Sequence, residues 1–189
     1  MSEVELLSDI NANYTKLQQF LNDQQWQDAN RETFTLIYKI ANQKRGFLEQ
    51  KSIYLLPCRD LCTIDQLWIN ASQEHFGFSI QAQILEKIMN DKNIDSQWYN
   101  EHLGVKIGWR IPKGGFVRYK DLIFDLSAPM GHLPCLMPEG EQWKNNNLYS
   151  EIGKIFCFLE KFEHCDYLGL CEQNRYQKVW MKNRFSTSV

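Results

Sequence analysis

The chain has 189 residues, 43% of them hydrophobic and 13% aromatic, with a formal net charge of −2. That length suits one domain with a sizeable core, and the near-balanced charge excludes both a polyanion binder by bulk electrostatics and a disordered polyelectrolyte. No apolar run is long enough for a bilayer-spanning helix, and the acidic start MSEVELLSDINANY lacks the basic and apolar regions of a signal peptide. The protein is therefore expected to work in the compartment where it is made.

In chain order, Asn13 or Asp9 can cap a short helix bearing Leu17, Phe20 and Leu21. A longer helix follows from about Asp23 to Asn42, because Trp26, Ala29, Thr33, Leu36, Ile37 and Ile40 recur at helical spacing. Two helices with so short a link form an antiparallel hairpin. Gly46 ends the second, and Lys44 to Leu56 reads as an apolar loop that either packs down or closes over something.

Pro57 to Gln81 is the most informative stretch. Leu61, Ile64, Leu67, Trp68 and Ala71 share one helical face. Thr63 with Gln66 fits a capping box, Asp60 is a rival N-cap, and Pro57 sits just ahead of the helix. Phe76-Gly77-Phe78-Ser79 then turns the chain with two rings at the junction, and Ser79 can cap the next helix of Ile80, Ile84, Leu85 and Ile88. Such a junction either plugs a core or walls an apolar pocket.

Asp95 is placed to cap a helix carrying Trp98, Tyr99 and Leu103, stopped by Gly104 or Gly108. From Gly108 to Pro134 the glycines and prolines exclude a long helix. Phe116 to Tyr119 and Leu122 to Leu126 fit two brief extended pieces or one helical turn. A loop Cys135 to Asn147 precedes a last helix on Leu148, Ile152, Ile155, Phe156, Leu159 and Phe162. Beyond Cys165, Arg175, Lys178, Lys182 and Arg184 stand among Tyr176, Trp180 and Phe185, a pattern that can bind nucleic acid or an anionic membrane surface, with a loosely ordered or partner-bound tail as the plain reading.

Catalytic signatures are missing. Gly114-Gly115 lacks the Lys-Ser/Thr of a P-loop, and there is no Gly-x-Ser-x-Gly or His-Glu-x-x-His. The six cysteines form no Cys-x-x-Cys pair and are expected as reduced thiols, four or five of them buried as small hydrophobes. The four histidines show no metal-ligand spacing. Arg59, Arg110 and Arg118 lie beside aromatics and read either as carboxylate clamps or as structural ion pairs. Binding is a better reading than catalysis.

Pro57-Cys58-x-Asp60-Leu61-x-Thr63-Ile64-Asp65-x-Leu67-Trp68, Ser72 and Phe76-Gly77-Phe78-Ser79-x-Gln81 resemble the signature of the genomes-uncoupled-four domain. Gly108-Trp109-Arg110 and Tyr119-x-Asp121-Leu122-x-Phe124-x-Leu126-x-Ala128-Pro129-x-Gly131-His132-Leu133-Pro134 continue it in order, so the likeness runs from about Tyr14 to Cys165. It implies an all-α, cupped-hand domain at 13–165, after an N-terminal tail at 1–12 and before a basic, aromatic extension at 166–189. It also implies an apolar palm that binds protoporphyrin IX or Mg-protoporphyrin IX, with no catalytic cofactor. The implied role is regulation of magnesium chelatase through its large porphyrin-binding subunit, promoting chlorophyll synthesis in the plastid stroma or cyanobacterial cytoplasm, with peripheral thylakoid association and no nucleic-acid partner. A pigment-free helical interaction module of the same family is the alternative.

A porphyrin is a flat apolar disc with two propionates, and burying about 400 Å² of it at ~25 cal/mol/Å² supplies on the order of 10 kcal/mol before association costs. Palm candidates are Phe76, Phe78, Trp109, Phe116, Tyr119, Leu122, Phe124 and Leu133. Arg110, Arg118 and Lys144 are candidates for the anionic edge. The family's chelatase activators carry an arginine in the loop after Gly-His-Leu-Pro and a helical bundle ahead of the domain. This chain has no arginine between Arg118 and Arg175 and starts almost at the domain, and its final helix, ending in Glu160-x-x-Glu163-His164-Cys165, resembles the family's divergent branch of single or fused domains.

Overall fold

The computed structural model describes residues 6–42, 48–135, 157–165 and 171. Among these the regular elements are helices: α1 (Thr15–Asn22), α2 (Trp26–Ile40), α3 (Gln50–Tyr54), α4 (Cys58–Ser72), α5 (Phe78–Met89), α6 (Tyr99–Lys106) and α7 (157–165). Short 3-10 turns occupy Ser96–Trp98 and Tyr119–Asp121, and the sole β-type pairing among the described residues is an isolated bridge between Arg110 and Phe116. None of the described helices is long and apolar enough to cross a membrane.

Helices α1 and α2 pack as the expected hairpin, and α1 also lies on α4. The predicted core strip of α2 is buried throughout. Its centre is an aromatic cluster: Trp26 stacks on Trp68 at 6.0 Å, and Phe76 meets both rings edge-on at 5.5 and 6.3 Å. Trp68 donates its indole N–H to Thr33 Oγ1 at 2.9 Å, so the one polar atom of a fully buried ring is satisfied. Three such rings each bury roughly 150–250 Å² and dominate the packing between α2 and α4.

Helix α4 starts differently from the capping-box expectation. Pro57 is its N-cap, and Cys58 is already helical. Thr63 and Asp60, both buried, turn outward to the N-terminal segment. Thr63 donates to the Leu7 carbonyl at 2.7 Å, while Asp60 accepts from Tyr14 Oη, Ser8 Oγ and the Asp9 N–H at 2.5, 2.6 and 3.0 Å. These bonds hold residues 7–14 against α4. Burial and the neighbouring carboxylate push the Tyr14 hydroxyl far above its ordinary pKa, so it stays a donor. Gln66 hydrogen-bonds Asn70 one turn on instead of closing a box.

The α4–α5 junction also differs in detail. Gly77, not Ser79, is the N-cap of α5, and buried Asp65 on α4 accepts the Ser79 N–H at 3.0 Å. A carboxylate at a helix N-terminus satisfies an orphan donor and the local dipole. Gly77 has φ +144°, and a Cβ there would stand 2.8 Å from Asp65 Oδ1 and 2.9 Å from Ile69 Cδ1. Asp95 caps as expected, accepting the Gln97 N–H, although the first turn is 3-10. The segment read as a loop from Lys44 to Leu56 contains α3; residues 44–47 of it lie outside the described residues.

The cysteines correct the sequence reading. Cys58 and Cys62, one turn apart on α4, form disulfides with Cys165 and Cys171, at Cα–Cα separations of 5.2 and 5.1 Å. Cys135 and Cys157 are buried and take part in neither disulfide. No sequence pattern shows these pairs, because the partners lie 107 and 109 residues apart and only the packing of α7 brings them together. Phe158 and Phe162 of α7 lie 4.6 and 6.3 Å from the Phe78 ring.

Candidate functional site

The segment after α6 carries the predicted palm. It is irregular, so its backbone groups need partners from elsewhere. The chain supplies them at every residue from Gly131 to Cys135. Gln81 Nε2, buried on α5, donates to the Gly131 and Pro134 carbonyls at 2.9 Å each. The Trp109 indole N–H donates to the His132 carbonyl at 2.7 Å, and the Gly77 N–H to the Leu133 carbonyl at 3.0 Å. Asn30 of α2 closes the run: its Oδ1 accepts the Cys135 N–H at 2.7 Å, and its Nδ2 donates to the Cys135 carbonyl at 3.3 Å and to Tyr119 Oη at 3.2 Å. Gly131 donates to the His75 carbonyl, and the His75 ring bonds the Ala128 carbonyl at 2.8 Å. The Leu133–Pro134 peptide bond is cis.

His132 is the internal strut of this segment. Its Nδ1 lies 2.6 Å from the Ile107 carbonyl and therefore donates, and its Nε2 accepts the Ile123 N–H at 3.2 Å. That pattern needs the neutral imidazole. Burial lowers the pKa of His132, and the Ile107 hydrogen bond opposes the shift without overcoming it.

The structure places the eleven predicted site residues in distinct environments. Phe76, Phe78, Trp109 and Leu133 are inside the core, where Phe76 joins the tryptophan cluster and Trp109 braces the His132 carbonyl. Tyr119 and Leu122 are buried nearer the surface, and the Tyr119 and Phe124 rings lie 5.4 Å apart. Phe116 and Phe124 are half-buried. Arg110 pairs with Glu101 at 3.3 Å and lies over the Phe116 ring at 5.5 Å, with its Nε–H buried and without a hydrogen-bond partner. Arg118 is exposed and ion-paired to Asp121. Lys144 lies outside the described residues.

Around these rings Ile111, Ile123, Leu126 and Met130 are exposed by 57, 42, 46 and 53%. A segment of about twenty-five residues thus shows four exposed apolar side chains over a backbone frame braced by Asn30, Gln81 and Trp109. Sequence reasoning missed the contribution of α2. Asn30, Phe34 and Tyr38 recur every fourth residue on a second buried face, and the rings of Phe34 and Tyr38 stack at 6.1 Å. The available signal was a lone Asn one turn from Trp26, beside the apolar strip of an amphipathic helix. The described residues hold no group of three or more His, Cys, Asp or Glu side chains arranged to bind a metal ion.

A family model described as GUN4-like matches residues 7–152. The chain belongs to that family. It is 33% identical over 143 residues to "Uncharacterized protein ycf53" of Porphyra purpurea, covering 74% of this chain and 57% of that protein. It is 28% identical over 130 residues to the "Tetrapyrrole-binding protein, chloroplastic" of Arabidopsis thaliana, covering 62% and 46% of the two chains. Among solved structures, ligand-free Arabidopsis thaliana GUN4 superposes with a TM-score of 0.61 at 26% identity, over 80% of this chain and 98% of that one. GUN4 from Chlamydomonas reinhardtii gives 0.62 at 25% identity, over 84% and 95%. The chain spans about half the length of the curated relatives it matches. The GUN4-like match takes in both the α4–α5 signature and the 108–135 frame. The signature residues Asp65, Gly77, Gln81, Trp109 and His132 hold that frame together.

Proposed function

We propose that this protein binds protoporphyrin IX or Mg-protoporphyrin IX and regulates magnesium chelatase through that enzyme's large porphyrin-binding subunit, in a plastid stroma or a cyanobacterial cytoplasm. It acts as a binding protein, without a catalytic cofactor of its own. The observation that supports this most is the GUN4-like match over residues 7–152, with a tetrapyrrole-binding relative among its matches. The apolar exterior of the 109–135 frame adds physical sense, since a flat disc needs exposed rings and aliphatic groups held in fixed positions.

Phe116, Tyr119, Leu122 and Phe124 are our palm residues, and Arg110 and Arg118 our candidates for the propionate edge. A propionate at either guanidinium competes with an existing acid, Glu101 or Asp121. That observation favours the second reading, a helical interaction module without pigment, since both arginines are already paired.

Titrating Mg-deuteroporphyrin into the full chain should red-shift the Soret band and quench tryptophan fluorescence. No change at tens of micromolar protein would overturn pigment binding. Replacing Phe124 by Ala removes roughly 50 Å² of ring contact, about 1.3 kcal/mol or tenfold in affinity. Unchanged affinity in that variant would leave pigment binding standing and place it elsewhere on the molecule.

A further inference from the structure

The four disulfide-bonded cysteines do not act as equals. Cys58 is 8% exposed, Cys165 fully buried and Cys171 4% exposed, whereas Cys62 is only partly buried at the rim of the core. Cys58 and Cys62 point the same way from α4, one turn apart, so the two crosslinks run side by side between α4 and the chain from α7 to Cys171. Cys58–Cys165 joins two buried residues, whereas Cys62 of the other bond is only partly buried. Thiol–disulfide exchange requires in-line attack on a sulfur, so access separates the two in rate.

We propose that Cys62–Cys171 is a redox modification site, opened and closed by a dithiol reductant while Cys58–Cys165 keeps α7 in place. An incoming thiolate attacks Cys62 Sγ, the Cys62–Cys171 bond breaks, and Cys171 leaves as a thiolate that takes a proton. The second thiol of the reductant then attacks the mixed disulfide and releases Cys62 as a thiol. Two electrons pass to the protein, two cysteine thiols form, and the reductant ends as its own disulfide. Opening this bond detaches Cys171, the residue from which the basic, aromatic sequence 172–189 continues, but leaves the contacts of Phe158 and Phe162 with Phe78 intact. The device lets cellular thiol status break the covalent tie between α4 and Cys171 without unfolding the domain.

The test uses the full chain purified without reductant. Alkylation in denaturant should label two cysteines, Cys135 and Cys157, and peptide mapping should recover the pairs Cys58–Cys165 and Cys62–Cys171. Dithiothreitol added to the native protein, followed by a second maleimide, should label Cys62 and Cys171 together, at least tenfold faster than Cys58 and Cys165. Helix content at 25 °C should be unchanged at that stage, while the midpoint of thermal unfolding falls. Six free thiols before reduction, a different pairing, or equal rates for the two bonds would overturn the proposal. Cys62→Ser provides the second check: it should stay folded, keep Cys58–Cys165, and show the lowered midpoint without any reductant. A midpoint that still responds to brief reduction in this variant would refute the assignment.

Discussion

Asp60 offers the sharpest energetic test of the fold. It is fully buried and accepts from three donors, Tyr14 Oη, Ser8 Oγ and the Asp9 N–H. Replacing it by Ala removes all three bonds, but the losses differ. Ser8 and Asp9 lie at the surface and regain water, so each costs about 0.5–1 kcal/mol. Tyr14 is 1% exposed, and its stranded hydroxyl costs about 2 kcal/mol as an unsatisfied buried group. The sum is roughly 3–4 kcal/mol, which for a chain of this size lowers the unfolding midpoint by about 6–16 °C. Thermal denaturation followed by far-ultraviolet circular dichroism measures it. The pair Tyr14→Phe with Asp60→Ala, taken through a double-mutant cycle, should show a coupling of about 1.5–3 kcal/mol. A midpoint shift below 3 °C, or a coupling near zero, would refute the assignment of Asp60 as the anchor of the N-terminal segment.

His132 gives a pH prediction. Its folded pKa is lowered by burial, so the neutral form is the one the fold selects. The stability this group contributes is complete above the unfolded value near 6.5 and is lost as pH falls from there toward the folded value. Stability of the wild type against urea should fall as pH drops below about 6.5, and His132→Gln should flatten that slope while lowering stability at pH 7; parallel slopes would count against a neutral strut. Gly77→Ala should cost about 2–4 kcal/mol, because its Cβ would stand 2.8 Å from the Asp65 carboxylate at a φ of +144°. Unfolding midpoints within 2 °C of wild type would show that the α4–α5 turn relaxes at little cost.

The site shows where local reasoning stops. The period of α2 pointed to Trp26, Ala29, Thr33, Leu36, Ile37 and Ile40, and all are buried. The same period on the adjacent face, Asn30, Phe34 and Tyr38, went unread because one amphipathic strip is enough to define a surface helix. Phe76 and Trp109 belong to the predicted aromatic set, yet composition cannot tell a ring that fills a core from one that lines a palm. Phe76 is enclosed by Trp26 and Trp68, and Trp109 is committed to the His132 carbonyl.

The sequence by itself determined the helical class, the order of α1, α2, α4, α5 and α6 and the signature that marks the family, since periodicity, caps and breakers act over a few residues; the short α3 was read as loop. Tertiary structure alone decided what the signature residues do. Asp60 read as a rival N-cap of its own helix and Asp65 only as a signature position; one holds the N-terminal segment and the other caps the next helix. Gln81, Asn30 and Trp109 feed the carbonyls of residues 131–135 from three separate elements. Cys58 and Cys62 looked like two small hydrophobes until α7 brought their partners within bonding distance. Each of these contacts spans between 14 and 109 residues of chain. Such contacts depend on how the packed helices meet, a geometry no local pattern encodes.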